Sequence, residues 1–196
     1  MTRYRDVHAP RRWFDGRARV ELQLHAEEDP WLKHWNAAAK AQFLKFQRTR
    51  LILNQKAPEL EGPNLYHQRI RLSDFRGKVV VLTVTDGTVN EEEMYNRCAE
   101  LLDEFEGKPF AVLSVIPTDA SGGYSVRDIV RECKITWPIV RDTHGDALSR
   151  HWCQQTTPES YVIDEKGTLV HHESGYECVS ASTKQTVDRL LADLQE

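Results

Sequence analysis

The chain has 196 residues, enough for one globular domain of ordinary size plus an appendage. Hydrophobic residues make up 40% and charged residues 29%, which excludes a disordered acidic chain. The net charge of −4, from 26 Lys+Arg against 30 Asp+Glu, speaks against a nucleic-acid binder, and apolar runs such as that from Val79 to Leu82 are far too short to span a membrane.

Charge divides the chain before any element is assigned. Residues 1–50 hold eleven Lys/Arg and six Asp/Glu, a balance of +5, which leaves −9 on the remainder. Residues 1–54 are therefore read as a basic N-terminal extension and residues 55–196 as the folded domain. Residues 1–28 show no clear period. Asp29-Pro30 then fits a helix start, with Asp as N-cap and Pro in the first turn, where its missing N–H costs nothing. Trp31, Trp35, Ala39, Phe43 and Phe46 follow at spacings of three and four, one apolar face of an amphipathic helix over about 30–50. Such a helix would dock on the domain or on a partner; the other reading is a basic amphipathic helix on an acidic membrane surface.

Beyond residue 56 the pattern changes. Ala57-Pro58-Glu59-Leu60 is expected to be extended, because proline disfavours helix in the residue before it. Asn64 to Leu72 reads as a small hairpin. Lys78 to Thr85 is a nearly continuous β-branched run, the pattern of a central strand buried on both faces. Glu91 to Phe105 is expected to be helical, with Met94, Cys98, Leu101/Leu102 and Phe105 inward. Phe110 to Ile116 reads as a second buried strand, and Val126, Ile129/Val130 and Cys133 share a helical face. Tyr161 to Asp164 and Thr168 to His171 flank Glu165-Lys166-Gly167 as a hairpin. Thr183 to Leu194 closes the domain as a helix. The order β-α-β-α-β-β-α combines parallel crossovers with an antiparallel hairpin, hence an α/β sandwich around one mixed sheet.

Five stretches carry a family resemblance: Lys56 to Leu60, Leu72 to Leu82, Gly107 to Leu113, Ile135 to Pro138 with Arg141-Asp142, and Thr157 to Gly167. In that order they resemble the thioredoxin-fold redoxins, in particular their TlpA-like and AhpC/TSA-like branch. The resemblance implies a thioredoxin-like fold over about residues 56–195 and, for an intact member, thiol-disulfide oxidoreductase or peroxide-reducing activity. It also implies a W-C-x-x-C motif, or a peroxidatic cysteine, where the first central strand opens into its helix.

That place reads Thr85-Asp86-Gly87-Thr88-Val89-Asn90-Glu91-Glu92-Glu93-Met94. Counted back from Met94, the two family cysteines fall on Thr88 and Glu91; counted forward from Lys78, on Val89 and Glu92. Neither register yields a cysteine, since none precedes Cys98. Thiol exchange needs a thiolate at the helix N-terminus, where unpaired amides and the dipole lower its pKa, and a second thiol to resolve the mixed disulfide. Thr88-x-x-Glu91 fits a capping box instead, which would satisfy those amides internally.

No other thiol is an obvious substitute. Cys98 lies about eight residues into its helix, roughly 12 Å along the axis and beyond the first turn. Cys133 is core-like. Cys153, between Trp152 and the Thr157-Pro158 loop, is the best-placed alternative, and Cys178 falls in a late loop that could be exposed. The resemblance makes Thr157-Pro158 the cis-proline loop, so Asp86, Gly87, Thr88, Val89, Thr157 and Pro158 could line a shallow groove for an extended protein or peptide segment. No metal site is expected: His171 and His172 are adjacent in a strand and point to opposite faces, and His144 and His151 stand two helical turns apart. Ser121-Gly122-Gly123 lacks the Lys-Ser/Thr sequel of a phosphate loop. No cofactor is implied. The opening Met-Thr-Arg-Tyr-Arg-Asp has no apolar core and the cysteines are few and scattered, so a cytoplasmic location is the expectation if Met1 is the native start. The function expected is a redoxin-family binding or scaffold module without dithiol chemistry; the alternative is an oxidoreductase using Cys153 or Cys98.

Overall fold

A computed structural model of the chain describes residues 51–88, 91–118, 125–143, 148, 152, 153 and 157–194. The N-terminal block with its expected helix lies outside the described residues, as do Val89, Ser121-Gly122-Gly123, His144 and His151.

A six-stranded sheet organises the molecule. In chain order the strands are β1 (Gln55–Lys56), β2 (Glu61–Pro63), β3 (Arg69–Arg71), β4 (Val79–Val84), β5 (Phe110–Pro117), β6 (Ile139–Asp142), β7 (Glu159–Ile163) and β8 (Thr168–Ser174). The sheet order is β1-β8-β7-β4-β5-β6, and β2 and β3 form a separate hairpin. β4, β5 and β6 run parallel, whereas β7 is antiparallel to β4, and β8 to β7. Among the described residues the α-helices are α1 (Glu92–Glu104), α2 (Val126–Glu132) and α3 (Ala181–Asp193).

β4 shows why the sequence folds this way. All six of its residues are buried, and they alternate between two cores. Val79 and Val81 join Met94, Tyr95, Cys98 and Leu101 of α1, Ile129 of α2 and Val187 and Leu191 of α3 on one face. Val80, Leu82 and Val84 join Leu60, Leu72, Leu148, Trp152 and Tyr161 on the other. A strand covered on both faces needs β-branched residues at every position, not at alternate ones. Glu92 and Glu93 in the first turn of α1 favour the positive end of its dipole.

Two strands depart from the sequence reading. β6 and β1 carry no strand expectation, because β6 is a four-residue edge containing Arg141 and Asp142, and β1 is only Gln55–Lys56. The central order is therefore β-α-β-α-β-β-β-α. The expected hairpin over Asn64 to Leu72 is present but begins earlier, at Glu61, with Asn64 Oδ1 accepting the Tyr66 and Gln68 amides to close its turn. Gly62 of this hairpin presses on β6: a Cβ there would meet Val140 Cγ1 at 2.6 Å. Among the described residues no helix is long and apolar enough to cross a membrane.

Candidate functional site

The sheet register assembles the site. Val84, the last residue of β4, pairs with Glu159, the first of β7. The β4–α1 turn and the Thr157-Pro158 segment therefore meet at one end of the sheet. The Thr157–Pro158 peptide bond is cis, and the Pro158 carbonyl oxygen accepts the Gly175 amide at 2.8 Å. Gly87, at φ +76, makes the turn out of β4 in a region that only glycine occupies freely. Gly87 and Pro158 are buried; Asp86, Thr88 and Thr157 are half-buried.

Glu91 is the centre of the β4–α1 side. It is 2% exposed. Its Oε1 accepts the Asp86 amide at 3.4 Å and its Oε2 the Thr88 amide at 3.3 Å, and the Tyr95 hydroxyl stands 3.4 Å from Oε2. The same hydroxyl is 3.3 Å from Thr85 Oγ1, which also accepts the Gly87 amide at 3.1 Å. The expected capping box is half built. The carboxylate arm reaches back to the Thr88 amide, but α1 takes Glu91 as its N-cap and has no side-chain cap bond of its own. The helix opens three residues too late for Thr88 to serve as the cap. Glu92 is exposed and lies outside this network.

Burial dominates the electrostatics. It pushes the Glu91 carboxyl up to about 7; the neighbouring Asp86 charge adds to the rise, and the two loop amides and the Tyr95 hydroxyl oppose it only partly. Asp86 Oδ1 is itself buried without a hydrogen-bond partner among the described residues. The Tyr95 phenol is held well above its ordinary range by burial and by Glu91.

The β7 side contains a second buried network that the sequence reading missed. Glu159 is fully buried, and its Oε2 lies 3.0 Å from His172 Nε2. The Tyr161 hydroxyl sits between Glu159 Oε2 and the Trp152 carbonyl oxygen. The Tyr161 and His172 rings stack at 4.5 Å and 15°. Cys153 Sγ, half-buried, donates to Glu159 Oε1 at 3.7 Å. Register supplies the signal that could have found the network: residues 159 and 161 share one strand face, and Tyr161 pairs with His172 across the hairpin. His171 falls on the other face, 3.6 Å from Glu173.

All four cysteines are free thiols. Cys98 and Cys133 lie in the core as expected. Cys178 does not lie exposed in its loop: it is 1% exposed, because the turn folds inward and its carbonyl oxygen accepts from Ser160 and Thr183. Burial, with the charges of Glu91, Glu173 and Glu159, pushes its thiol up to about 12. Burial likewise raises Cys98 and Cys133. Among the described residues no three His, Cys, Asp or Glu side chains group to hold a metal.

The AhpC/TSA family model matches residues 53–172, more than half of the chain. The chain belongs to the AhpC/TSA family. Solved structures agree on the fold. The thioredoxin domain of a thiol-disulfide oxidoreductase from Bacteroides vulgatus is 20% identical, with a TM-score of 0.60 over 72% of this chain and 99% of that one. A thiol:disulfide interchange protein from a Bacteroides species is 20% identical, with a TM-score of 0.58 over 70% and 91%. A thioredoxin-family thiol:disulfide interchange protein from Chlorobium tepidum is 16% identical, with a TM-score of 0.57 over 71% and 98%. No curated protein matches the sequence. The fold is thus thioredoxin-like, with a mixed central sheet flanked by helices.

Proposed function

We propose that this AhpC/TSA-family chain has lost the dithiol and peroxidatic chemistry of its fold and works as a non-catalytic binding or scaffold module. One observation carries the reading: the helix entrance that would activate a thiolate is taken by Glu91. Its buried carboxyl accepts the loop amides, and a thiolate placed beside it would face Asp86 and Glu91 with no compensating cation in the network. Amides and dipole that would stabilise a reactive sulfur stabilise the protein's own side chain instead. The edge formed by Asp86 to Thr88 and Thr157-Pro158 is then the place for an extended protein or peptide segment, held through backbone groups.

A second reading has its own observation. Cys153 is half-buried where the other three cysteines are buried, and its Sγ touches Glu159, directly after the cis proline. Glu159 Oε1 accepts the hydrogen bond of that thiol. Cys98, the other alternative, is fully buried inside α1 and has neither access nor an activating partner.

Two assays on the full chain separate these readings. Insulin reduction with dithiothreitol and peroxide consumption are expected to stay at the uncatalysed rate, and Cys153→Ser to change neither. Turnover abolished by Cys153→Ser overturns the proposal. In the binding arm, Thr157→Arg, which blocks the edge with a long cation, is expected to lose proteins that the wild type captures.

A further inference from the structure

The loop Asp86–Thr88 is held by side chains, not by the sheet. β4 ends at Val84, and Thr85 makes the last bond to a neighbouring strand, its amide donating to the Val115 carbonyl oxygen at 3.1 Å. Beyond it the Asp86 amide goes to Glu91 Oε1 at 3.4 Å, the Gly87 amide to Thr85 Oγ1 at 3.1 Å and the Thr88 amide to Glu91 Oε2 at 3.3 Å. Two of these three bonds depend on one carboxyl that is 2% exposed. Gly87, at φ +76, stands between them and gives the loop a pivot.

The grip of that carboxyl changes with its charge. As a carboxylate Glu91 has lost its water, faces the Asp86 charge, and has donors only at the long end of the hydrogen-bond range. Asp86 Oδ1, buried with no hydrogen-bond partner among the described residues, lacks water as well. The other groups facing Glu91 include no cation. From α1 comes the Tyr95 phenol, while Glu92 and Glu93 are exposed. From the end of α2 comes the Cys133 thiol, which feels Glu91 and Glu92. From the turn before α3 comes the Cys178 thiol, which feels Glu91 and also Glu159 of β7. Burial raises the phenol and both thiols, so all three stay neutral around pH 7 and Glu91 is the member whose charge changes there.

We propose that ionisation of Glu91 opens the Asp86–Thr88 loop about Gly87, and that protonation closes it. Opening lets water reach both carboxylates and parts them. A group that binds its proton more tightly in the closed form favours closing in acid, and opening as that proton leaves. The loop meets Thr157-Pro158 at the end of the sheet, where Val84 pairs with Glu159, so the movement reshapes the edge beside the cis proline. That an extended segment is admitted there rests on the binding reading above; the movement itself does not.

Amide exchange of Asp86, Gly87 and Thr88, followed by NMR in the full chain and corrected for the intrinsic rate, reads the opening. With a carboxyl near 4.5 when hydrated and about 7 when enclosed, the opening constant is expected to rise roughly twenty-fold between about pH 5.5 and pH 8, most of it below about pH 7, and then to level off. Low urea is expected to leave these rates unchanged while it speeds core amides such as those of Val81 and Val112, because a local opening exposes little surface. Glu91→Gln is expected to abolish the pH dependence, and Asp86→Asn to shrink it, since one repelling charge is gone. Loop amides that exchange only with the core and share its urea dependence, the same pH profile in Glu91→Gln, or a rise that begins only above about pH 8 overturns the proposal. Failure of the binding reading shows elsewhere, in capture that Thr157→Arg leaves unchanged, and would not alter these rates.

Discussion

A carboxyl with almost no solvent access is an unusual residue to hold a helix entrance, and Glu91 shows what it costs. Its three donors stand at 3.3 to 3.4 Å, at the long end for hydrogen bonds, so they recover only part of its lost hydration. The pH consequence has a definite sign. The unfolded carboxyl titrates near 4.5 and the folded one near 7, so between those values the folded chain binds more protons. The stabilising contribution of the neutral acid is fully present below about pH 4.5 and is lost as pH rises through about 7. Its full size is of order 3 kcal/mol at one pKa unit per 1.36 kcal/mol. Glu91→Gln, uncharged at every pH, is expected to remove most of this slope and to raise stability above pH 7 by about 1–2 kcal/mol. Urea midpoints of both proteins at pH 5 and pH 8 check this; parallel pH profiles would show that the carboxyl is not buried in solution. The thiols give a second residue-scale prediction. A maleimide at pH 8 is expected to modify Cys153 in the native protein, whereas Cys98, Cys133 and Cys178, all buried, become reactive only in denaturant. Mass spectrometry of the modified peptides reads the order directly.

At the scale of elements, contacts that no local pattern announces hold the periphery in place. Gly62 is one. With a Cβ 2.6 Å from Val140 Cγ1 and 3.3 Å from the Arg141 carbonyl oxygen, Gly62→Ala must push the β2–β3 hairpin off β6, and is expected to cost about 1–3 kcal/mol in urea unfolding. Alanine at the exposed Gly107 turn, which has open space around it but a φ of +75, pays only for backbone strain, about 1 kcal/mol. The same contrast explains which elements the sequence made legible. β4 and β5 are runs of eight or fewer β-branched and apolar residues buried on both faces, and such runs announce themselves. α1 and α3 are long enough for their inward stripe to repeat three times. β6 exists because β5 offers it a parallel edge, and β1 because β8 does; neither carries a pattern of its own. At the site, the absence of cysteine before Cys98 and the acid at Glu91 were visible in the sequence. The burial of Glu91 was not, because three consecutive glutamates look alike until the helix phase sends one inward and two outward. The Glu159–His172–Tyr161 network was hidden for a different reason: its members come from both strands of a hairpin and meet only through register.

For the whole molecule, the decisive arrangement is that one strand belongs to two cores. Val81 packs under α1 and α3, and Leu82, its neighbour in sequence, packs on the other face with Trp152 and Tyr161. Both polar networks grow from the ends of this strand and its partner β7. Thr85 and Glu91 follow β4, and Glu159 begins β7 opposite Val84. A loss of packing on either face therefore loosens the same strand, and with it the geometry of the site. Leu82→Ala removes a fully buried side chain and is expected to cost about 2–5 kcal/mol. Val81→Ala, which deletes less volume, is expected to cost less, and both variants are expected to unfold in one transition that coincides by tryptophan fluorescence and far-ultraviolet circular dichroism. The two tryptophans among the described residues, both buried, serve the comparison. Trp152 lies in the core of Leu82 and Trp137 in that of Val81. If the cores were separable, Leu82→Ala would produce an early fluorescence change, from Trp152, ahead of the loss of helix. Coincident curves in both variants instead make β4 the element through which the two faces, and the site at its end, stand or fall together.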